Sequence, residues 1–441
     1  MSRAADISVY DRMCWPEAEL ERALALGAHR RELAAYLGGN EYTVLSGLAR
    51  RSEDARRRRR VRRALKVYLL PGILGSQLGR PRGAGQPPDL LWIDPDDIVH
   101  GRLTELRWPR AIAAKSPRPP AQPVQPLGAI VYSYLALKLR LAAAGFEVVL
   151  HDYDWRGDVL ASGRALAERL AADDAEQLAL IGHSMGALLA RAALAQYGAG
   201  AERITHLIGL GAPHGGSIAA VQALRATYPI IGRLAAIDRV HDAESLTRLA
   251  FRGFLSLYQL LPAAHPTLDL FDPDCWPASG ARPDPALLRS ARGFAGQLAA
   301  PDARFVSIVG SGQRTVTGIE RRGAQFRYRV SSAGDGTVAS SSATLPGVAS
   351  YSLRCEHSEL PRSAAVAAAL IDLLRRGGTR RLRAGVIARH GRSSYVTDGA
   401  LRRELGRKID WHRLSIGQRR VYLNRLNEPP AAYRARSPSR V

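Results

Sequence analysis

Cysteine is scarce: Cys14, Cys275 and Cys355 are the three in 441 residues. The number is odd and no two of them form a C-x-x-C pair. Neither a disulfide framework nor a zinc spacing is visible, so a reducing compartment is expected. Lysine is nearly as rare, with Lys66, Lys115, Lys138 and Lys408 the four present, so arginine carries the net charge of +23. An arginine bias this one-sided, beside so much alanine, reads partly as base composition, and no nucleic-acid partner is expected. The charge still attracts anionic surfaces, acidic lipid headgroups among them. Long apolar runs are also missing. Ala364 to Leu374, interrupted by Asp372, is too short to span a bilayer. Met1 to Cys14 has no apolar segment behind a basic start, so no signal peptide is evident. A cytoplasmic setting is expected, with peripheral contact with an anionic membrane compatible with the charge. Oligomeric state is not legible.

What the chain does have is a hydrophobic fraction of 46% and a charged fraction of 23%. That is enough for a large core, and the length suggests two or three domains. Residues 1–64 read as a helical, basic N-terminal extension. Apolar residues recur at helical spacing from Glu17 to Leu37, a second helical stretch covers Tyr42 to Leu48, and an arginine run covers Arg56 to Arg60. From Lys66 the pattern changes. Val67 to Leu70, closed by Pro71-Gly72, reads as a buried strand and turn. Phe146 to Leu150, Leu178 to Gly182, Leu207 to Leu210, Phe305 to Val309 and Tyr351 to Arg354 read as further strands. Tyr132 to Ala144 and Met185 to Tyr197 read as helices between them. Strands alternating with helices predict an α/β fold, a mostly parallel sheet covered on both faces. Residues 79–127, rich in Pro, Gly and Arg, read as an irregular insertion. Residues 217–300 read as a helical cap insertion, with helices at Ala219 to Thr227 and Leu246 to Leu261. Residues 65–375 form the predicted catalytic domain. Residues 376–441 read as an Arg-rich tail with helical pieces at Gly399 to Lys408 and Ile416 to Leu426 and a disordered Pro- and Ser-containing end.

Gly182-His183-Ser184-Met185-Gly186 fits G-x-S-x-G after an apolar strand and before an amphipathic helix, the context that motif needs. A serine at a sharp strand-to-helix turn projects its hydroxyl clear of the sheet, and the helix N-terminus offers unpaired N–H groups to developing negative charge. A neutral hydroxyl needs a base, and the base needs an orienting group. Asp335, in Gly334-Asp335-Gly336-Thr337-Val338, and His357, just before a late helix, follow in the order Ser, acid, His. An Asp-Gly pair is also an ordinary turn former, and His357 could start a helix at the surface; order and placement together favour the catalytic assignment. His183, His214 and His265 compete for the role of base, and His183 adjoins the serine too closely to take its proton. Two donors for a tetrahedral oxyanion are expected at the backbone N–H of Met185 and at Ile73, in the glycine-containing loop Pro71 to Ser76.

These residues resemble a known family. Pro71 to Leu78, Tyr153-Asp154-Trp155-Arg156, Gly182 to Gly186, Gly211 to Ser217, Gly334 to Val338 and His357 occur in this order. Together they look like the lecithin:cholesterol acyltransferase family, which includes lysosomal phospholipase A2 and phospholipid:diacylglycerol acyltransferases. The resemblance covers roughly residues 66–375. Asp89 to Pro95 resembles the family's early insertion. The resemblance implies an α/β-hydrolase fold, an acyl-enzyme on Ser184, the triad Ser184, Asp335 and His357, and oxyanion donors at Ile73 and Met185. It places Asp154, Trp155 and Arg156 near the substrate pocket. No cofactor or metal is expected. Secreted members close their early loop with a disulfide; no cysteine occurs in residues 79–127 here, and residues 1–64 and 376–441 match nothing in the family.

The expected function is thus a serine-dependent hydrolase or O-acyltransferase acting on an acyl-lipid substrate. A non-lipid carboxylesterase or depolymerase of the same fold is the alternative. A catalytically inactive basic binding protein is the third reading, disfavoured by the lack of any nucleic-acid motif.

Overall fold

The computed structural model describes residues 16–58, 65–83, 86–108, 123–198, 200–386 and 393–433. Cys14, Lys115, Arg59, Arg60 and the Pro- and Ser-containing end at 434–441 lie outside the described residues.

Short β-branched and leucine-rich runs make the strands. They are β1 (Lys66–Leu70), β2 (Ser76–Arg80), β3 (Asp89–Trp92), β4 (Gln125–Ala129), β5 (Glu147–Leu150), β6 (Leu178–His183) and β7 (Ile204–Leu210). The later ones are β8 (Phe305–Ser311), β9 (Thr315–Arg322), β10 (Gln325–Ser331), β11 (Ala349–Arg354), β12 (Arg383–Ala384) and β13 (Ser394–Thr397). The central sheet has seven strands in the order β12-β11-β8-β7-β6-β1-β5. Every neighbouring pair from β11 to β5 is parallel, and β12 runs antiparallel at the edge. Alternation along the strands sends Leu180 and Leu207 to one face and Ile181 and Ile208 to the other. Helices Val159–Ala171 and Met185–Gln196 cover the first face; Val131–Ala143 and Ala364–Arg376 cover the second. This is the α/β-hydrolase architecture, with the G-x-S-x-G turn at the C-terminal end of β6.

Between β7 and β8 the chain forms the cap: helices Ile218–Leu224, Pro229–Ile237, Ala243–Leu249, Leu255–Gln259 and Pro285–Ala291. The continuous helix expected over Leu246 to Leu261 is broken by a 3-10 turn at Phe251–Gly253. There Phe251 and Phe254 pack edge to face, 5.3 Å between centroids, and both turn into the core. The expected single helix from Glu17 to Leu37 is likewise two, Glu17–Leu26 and Arg30–Leu37, because Gly27 and His29 adopt left-handed backbone angles. With Gly39–Arg58 they pack Leu20, Leu24, Leu33 and Leu45 onto Leu135 and Leu139 of the helix Val131–Ala143.

Two sequence expectations are corrected. Residues 79–127 are not wholly irregular: β2, β3 and β4 form an antiparallel sheet. Arg80 and Arg102 brace this region from within. Arg102 pairs with Asp89 at 2.8 Å and Asp97 at 2.6 Å, and Arg80 with Glu105 at 2.6 Å. Nor do residues 376–433 hang off the catalytic domain as a tail. β12 joins the central sheet, β13 pairs antiparallel with β10, and Asp398, Trp411 and Tyr433 are buried. No helix among the described residues is long and apolar enough to cross a membrane.

Candidate active site

Ser184 sits between the last residue of β6 and the first of its helix, with φ 53° and ψ −125°. Positive φ at a non-glycine residue is strained, and here the packing enforces it. The two glycines of the motif make that possible. A Cβ on Gly182 would lie 2.3 Å from Ala187 N, and one on Gly186 would lie 2.2 Å from Leu70 O. The turn can close only where both side chains are absent. The Ser184 amide donates to Leu210 O at 2.9 Å, and Ser184 is 6% exposed.

Asp335 and His357 come together as expected from their order. The His357 imidazole Nδ1 contacts Asp335 Oδ2 at 2.7 Å, and both side chains are almost fully buried. Asp335 Oδ1 accepts from the N–H groups of Thr337 at 3.0 Å and Val338 at 2.7 Å. The carboxylate is therefore fixed by three donors, and His357 Nδ1 carries the proton. The His357 amide also donates to Asp335 O at 2.9 Å. Gly211, adjacent to the carbonyl that holds Ser184, lies under this pair. A Cβ there would sit 2.9 Å from Asp335 Oδ2 and 3.1 Å from His357 Nδ1.

The loop Pro71–Gly75 passes over the serine so closely that a Cβ on Gly72 would lie 2.9 Å from Ser184 Cβ. The Ile73 N–H has no acceptor among the described residues. Met185 opens its helix, where the leading N–H groups lack intrahelical acceptors. Ile73 lines the same cavity as Ser184, and Met185 follows Ser184 directly in the chain.

Sequence reasoning missed the groups that hold this loop. Trp92 Nε1 donates to Leu74 O at 2.8 Å, and Tyr153 Oη donates to Pro71 O at 2.9 Å. Gly72 N–H donates to Tyr134 Oη at 3.0 Å, and Tyr134 Oη lies 2.9 Å from His183 Nδ1. His183 Nε2 in turn lies 3.0 Å from His357 O. A carbonyl can only accept, so Nε2 carries the proton and Nδ1 accepts from the tyrosine hydroxyl. Burial drives the His183 pKa down to about 3, with the His357 ring adding to the effect, so the ring is neutral. One chain of hydrogen bonds therefore ties the oxyanion loop to the backbone of the base. Tyr134→Phe removes the central hydroxyl only. It should lower kcat by about 10- to 100-fold while the thermal midpoint moves little, as expected when reacting groups drift without unfolding. Parallel kinetic and melting measurements check this.

His214 and His265 have partners of their own. His214 lies beside Arg191, and desolvation with that charge lowers its pKa to about 3. His265 accepts from the amides of Thr267 and Leu268, 3.3 Å and 3.1 Å away. Of the expected substrate-contacting trio, Trp155 lines the pocket, while Asp154 and Arg156 do not. Arg156 is 1% exposed; it pairs with Asp154 at 2.6 Å and donates to Leu106 O and Val124 O. That pair anchors the early insertion to the domain, a structural role.

Ser184 forms the polar end of a narrow cavity beneath the cap. Ile73, Trp155, Ile231, Phe254 and Leu257 line it, with little polar surface beyond Ser184, Ser217 and Thr337.

The fold and this arrangement define the class: an α/β-hydrolase-type protein with a strained serine turn and a buried His357–Asp335 pair. Residues 142–265 match the family Lecithin:cholesterol acyltransferase. That segment holds the Asp154-Trp155-Arg156 motif, the G-x-S-x-G turn, the Gly211–Ser217 loop and the first four cap helices. No curated protein matches the chain significantly. Among solved structures, the mature form of the Bacillus licheniformis lipase BlEst2 shares 14% identity, with 72% of this chain and 94% of that chain covered and a TM-score of 0.35. The Tle4–Tli4 complex shares 15% identity over 70% of this chain and 98% of that chain, with a TM-score of 0.43. These likenesses are remote. Family match and fold together support an acyl-ester hydrolase or acyltransferase of α/β-hydrolase type.

Proposed function

We propose that this chain is a serine-dependent lipid acyl-ester hydrolase or O-acyltransferase that works through an acyl-serine on Ser184. The observations that carry the proposal are the strained Ser184 in the lining of an apolar cavity and a buried His357 whose Nδ1 is committed to Asp335. With Nδ1 holding the proton, Nε2 offers its lone pair to the Ser184 hydroxyl. The serine oxygen attacks the ester carbonyl, His357 takes the hydroxyl proton, and Asp335 stabilises the imidazolium. The N–H groups of Ile73 and Met185 receive the oxyanion. His357 then returns the proton to the leaving alcohol. Water or a second alcohol resolves the acyl-serine by the same steps in reverse.

An apolar cavity with almost no polar lining suits an acyl chain better than a short polar acid. The arginine excess, where solvent-exposed, favours working at an anionic lipid surface in the cytoplasm. The test is a series of esters from acetyl to palmitoyl, assayed with and without anionic vesicles, with all products identified by mass spectrometry. The proposal expects kcat/KM to rise about tenfold or more from acetyl to medium chains, and vesicles to stimulate turnover. A preference for acetyl esters with indifference to vesicles would instead favour a non-lipid carboxylesterase or depolymerase.

A further inference from the structure

The turn that carries Asp335 is held from a part of the chain that the reaction does not otherwise use. Thr337 N–H donates to Asp335 Oδ1 at 3.0 Å, one of the two amide hydrogen bonds that fix this carboxylate oxygen. The place of Thr337 therefore bears on the place of the acid. The other polar groups of Thr337 are engaged as well. Its carbonyl accepts from Ser217 Oγ at 3.1 Å, and its Oγ1 accepts from Asn427 Nδ2 at 3.0 Å. Asn427 lies in the C-terminal segment, 90 residues further along the chain.

The same amide has a second bond. Asn427 Oδ1 accepts from Tyr228 Oη at 2.7 Å, and Tyr228 caps the helix Pro229–Ile237 of the cap. Thr337 and Tyr228 hydrogen-bond to each other too. The phenol donates to Oδ1 and the amide to Thr337, so the Thr337 hydroxyl proton is left for the phenol oxygen. Three side chains then close a ring in which every bond supports the next. Thr337 and Tyr228 both line the cavity that holds Ser184. The segment is gripped so as to present this amide. Arg233, in the same cap helix, donates to Leu426 O at 2.6 Å and Glu428 O at 2.5 Å, the carbonyls on either side of Asn427. Tyr422 Oη donates back to Arg233 O at 2.7 Å. Pro429 packs beside the acid turn, where a Cβ on Gly336 would lie 3.7 Å from its Cγ.

We propose that Asn427 is a positioning residue for the acyl-serine reaction. It holds Thr337 so that the Thr337 amide keeps Asp335, and through it His357, in place, and it fixes the cap to the same point through Tyr228. The inference rests on the acyl-serine reading above. Asn427 acts through Thr337, and its loss leaves the reacting groups present but less well oriented.

The test is Asn427→Leu, a side chain of similar shape that makes neither bond. Wild type and variant are compared on an activated octanoyl ester, by the rate of fluorophosphonate labelling and by thermal midpoint. In the folded variant, kcat and the labelling rate should fall together by about tenfold, with KM changing little. Thr337→Val, which keeps the backbone and loses the hydroxyl, should show a similar loss, and Thr337→Ser should recover most of it. Each change cuts the same link, so Asn427→Leu combined with Thr337→Val should lose no more than either alone. An unchanged kcat in folded Asn427→Leu, a loss confined to KM or to the midpoint, or losses that multiply in the double variant would overturn the assignment. So would equal kcat in Thr337→Val and Thr337→Ser, whether or not Asn427→Leu folds. Absence of labelling in the wild type would overturn the acyl-serine reading beneath it and is a separate outcome.

Discussion

Ser184→Ala is expected to lower kcat on an activated octanoyl ester by about 10⁴- to 10⁶-fold, with circular dichroism and the thermal midpoint unchanged. The size follows from how the site is built. His357 has one nitrogen committed to Asp335, whose other oxygen is held by two backbone amides, so the base is oriented before any substrate arrives. All of that orientation serves one hydroxyl. Removing it leaves the two oxyanion donors and the cavity, which retain only residual catalysis. Alanine should also be tolerated at position 184, since the site already holds a non-glycine residue at φ 53°.

The second large effect is on stability. Asp398→Ala should destabilise the fold by about 3–5 kcal/mol, the range for breaking a buried ion pair from one side. Asp398 and Arg225 are both fully buried and pair at 2.9 Å. Asp398 Oδ1 also accepts from Tyr328 Oη at 2.6 Å. Arg225 belongs to the cap, Tyr328 to β10, and Asp398 opens the helix Asp398–Leu405 behind β13. A single carboxylate therefore joins three parts of the chain, and its loss strands a buried guanidinium. The double change Arg225→Met with Asp398→Leu should recover much of the loss, because it removes both charges. Chemical denaturation of the two variants beside the wild type measures this. A loss under about 1 kcal/mol in Asp398→Ala, typical of an exposed pair, would show that the C-terminal segment does not hold the cap.

The site was more legible in the sequence than the frame that supports it. Gly182 to Gly186 announces itself because both flanking positions admit no side chain, and a steric demand of that kind leaves a local signature. Asp335 and His357 could be nominated because each sits in a short turn after a strand, in the chain order that this fold uses. The strut through Tyr134 and His183 was illegible for the opposite reason. Its members lie 49 residues apart, and each alone reads as a buried ring on a core helix or strand. The role of Asp154 and Arg156 stayed open in the sequence, because a charged pair beside a pocket residue looks the same whether it meets substrate or carbonyls. The C-terminal segment was misread through its arginines. Charge suggested solvent, yet its Arg420 donates to Ala35 O, and Arg233 of the cap and Arg314 before β9 donate to its carbonyls at Leu426, Glu428 and Tyr433, long-range contacts that composition cannot reveal. The strands β9 and β10 were hidden likewise, by arginines on the outer face of a hairpin.

The measurement that bears most directly on the acyl-serine is labelling with a fluorophosphonate, followed by peptide mass mapping. A single adduct is predicted, on Ser184, forming rapidly in the wild type and at least about 10³-fold more slowly in His357→Ala. Absence of any adduct in folded wild-type protein, an adduct on a different serine, or labelling of Ser184 at the same rate without His357 would contradict it.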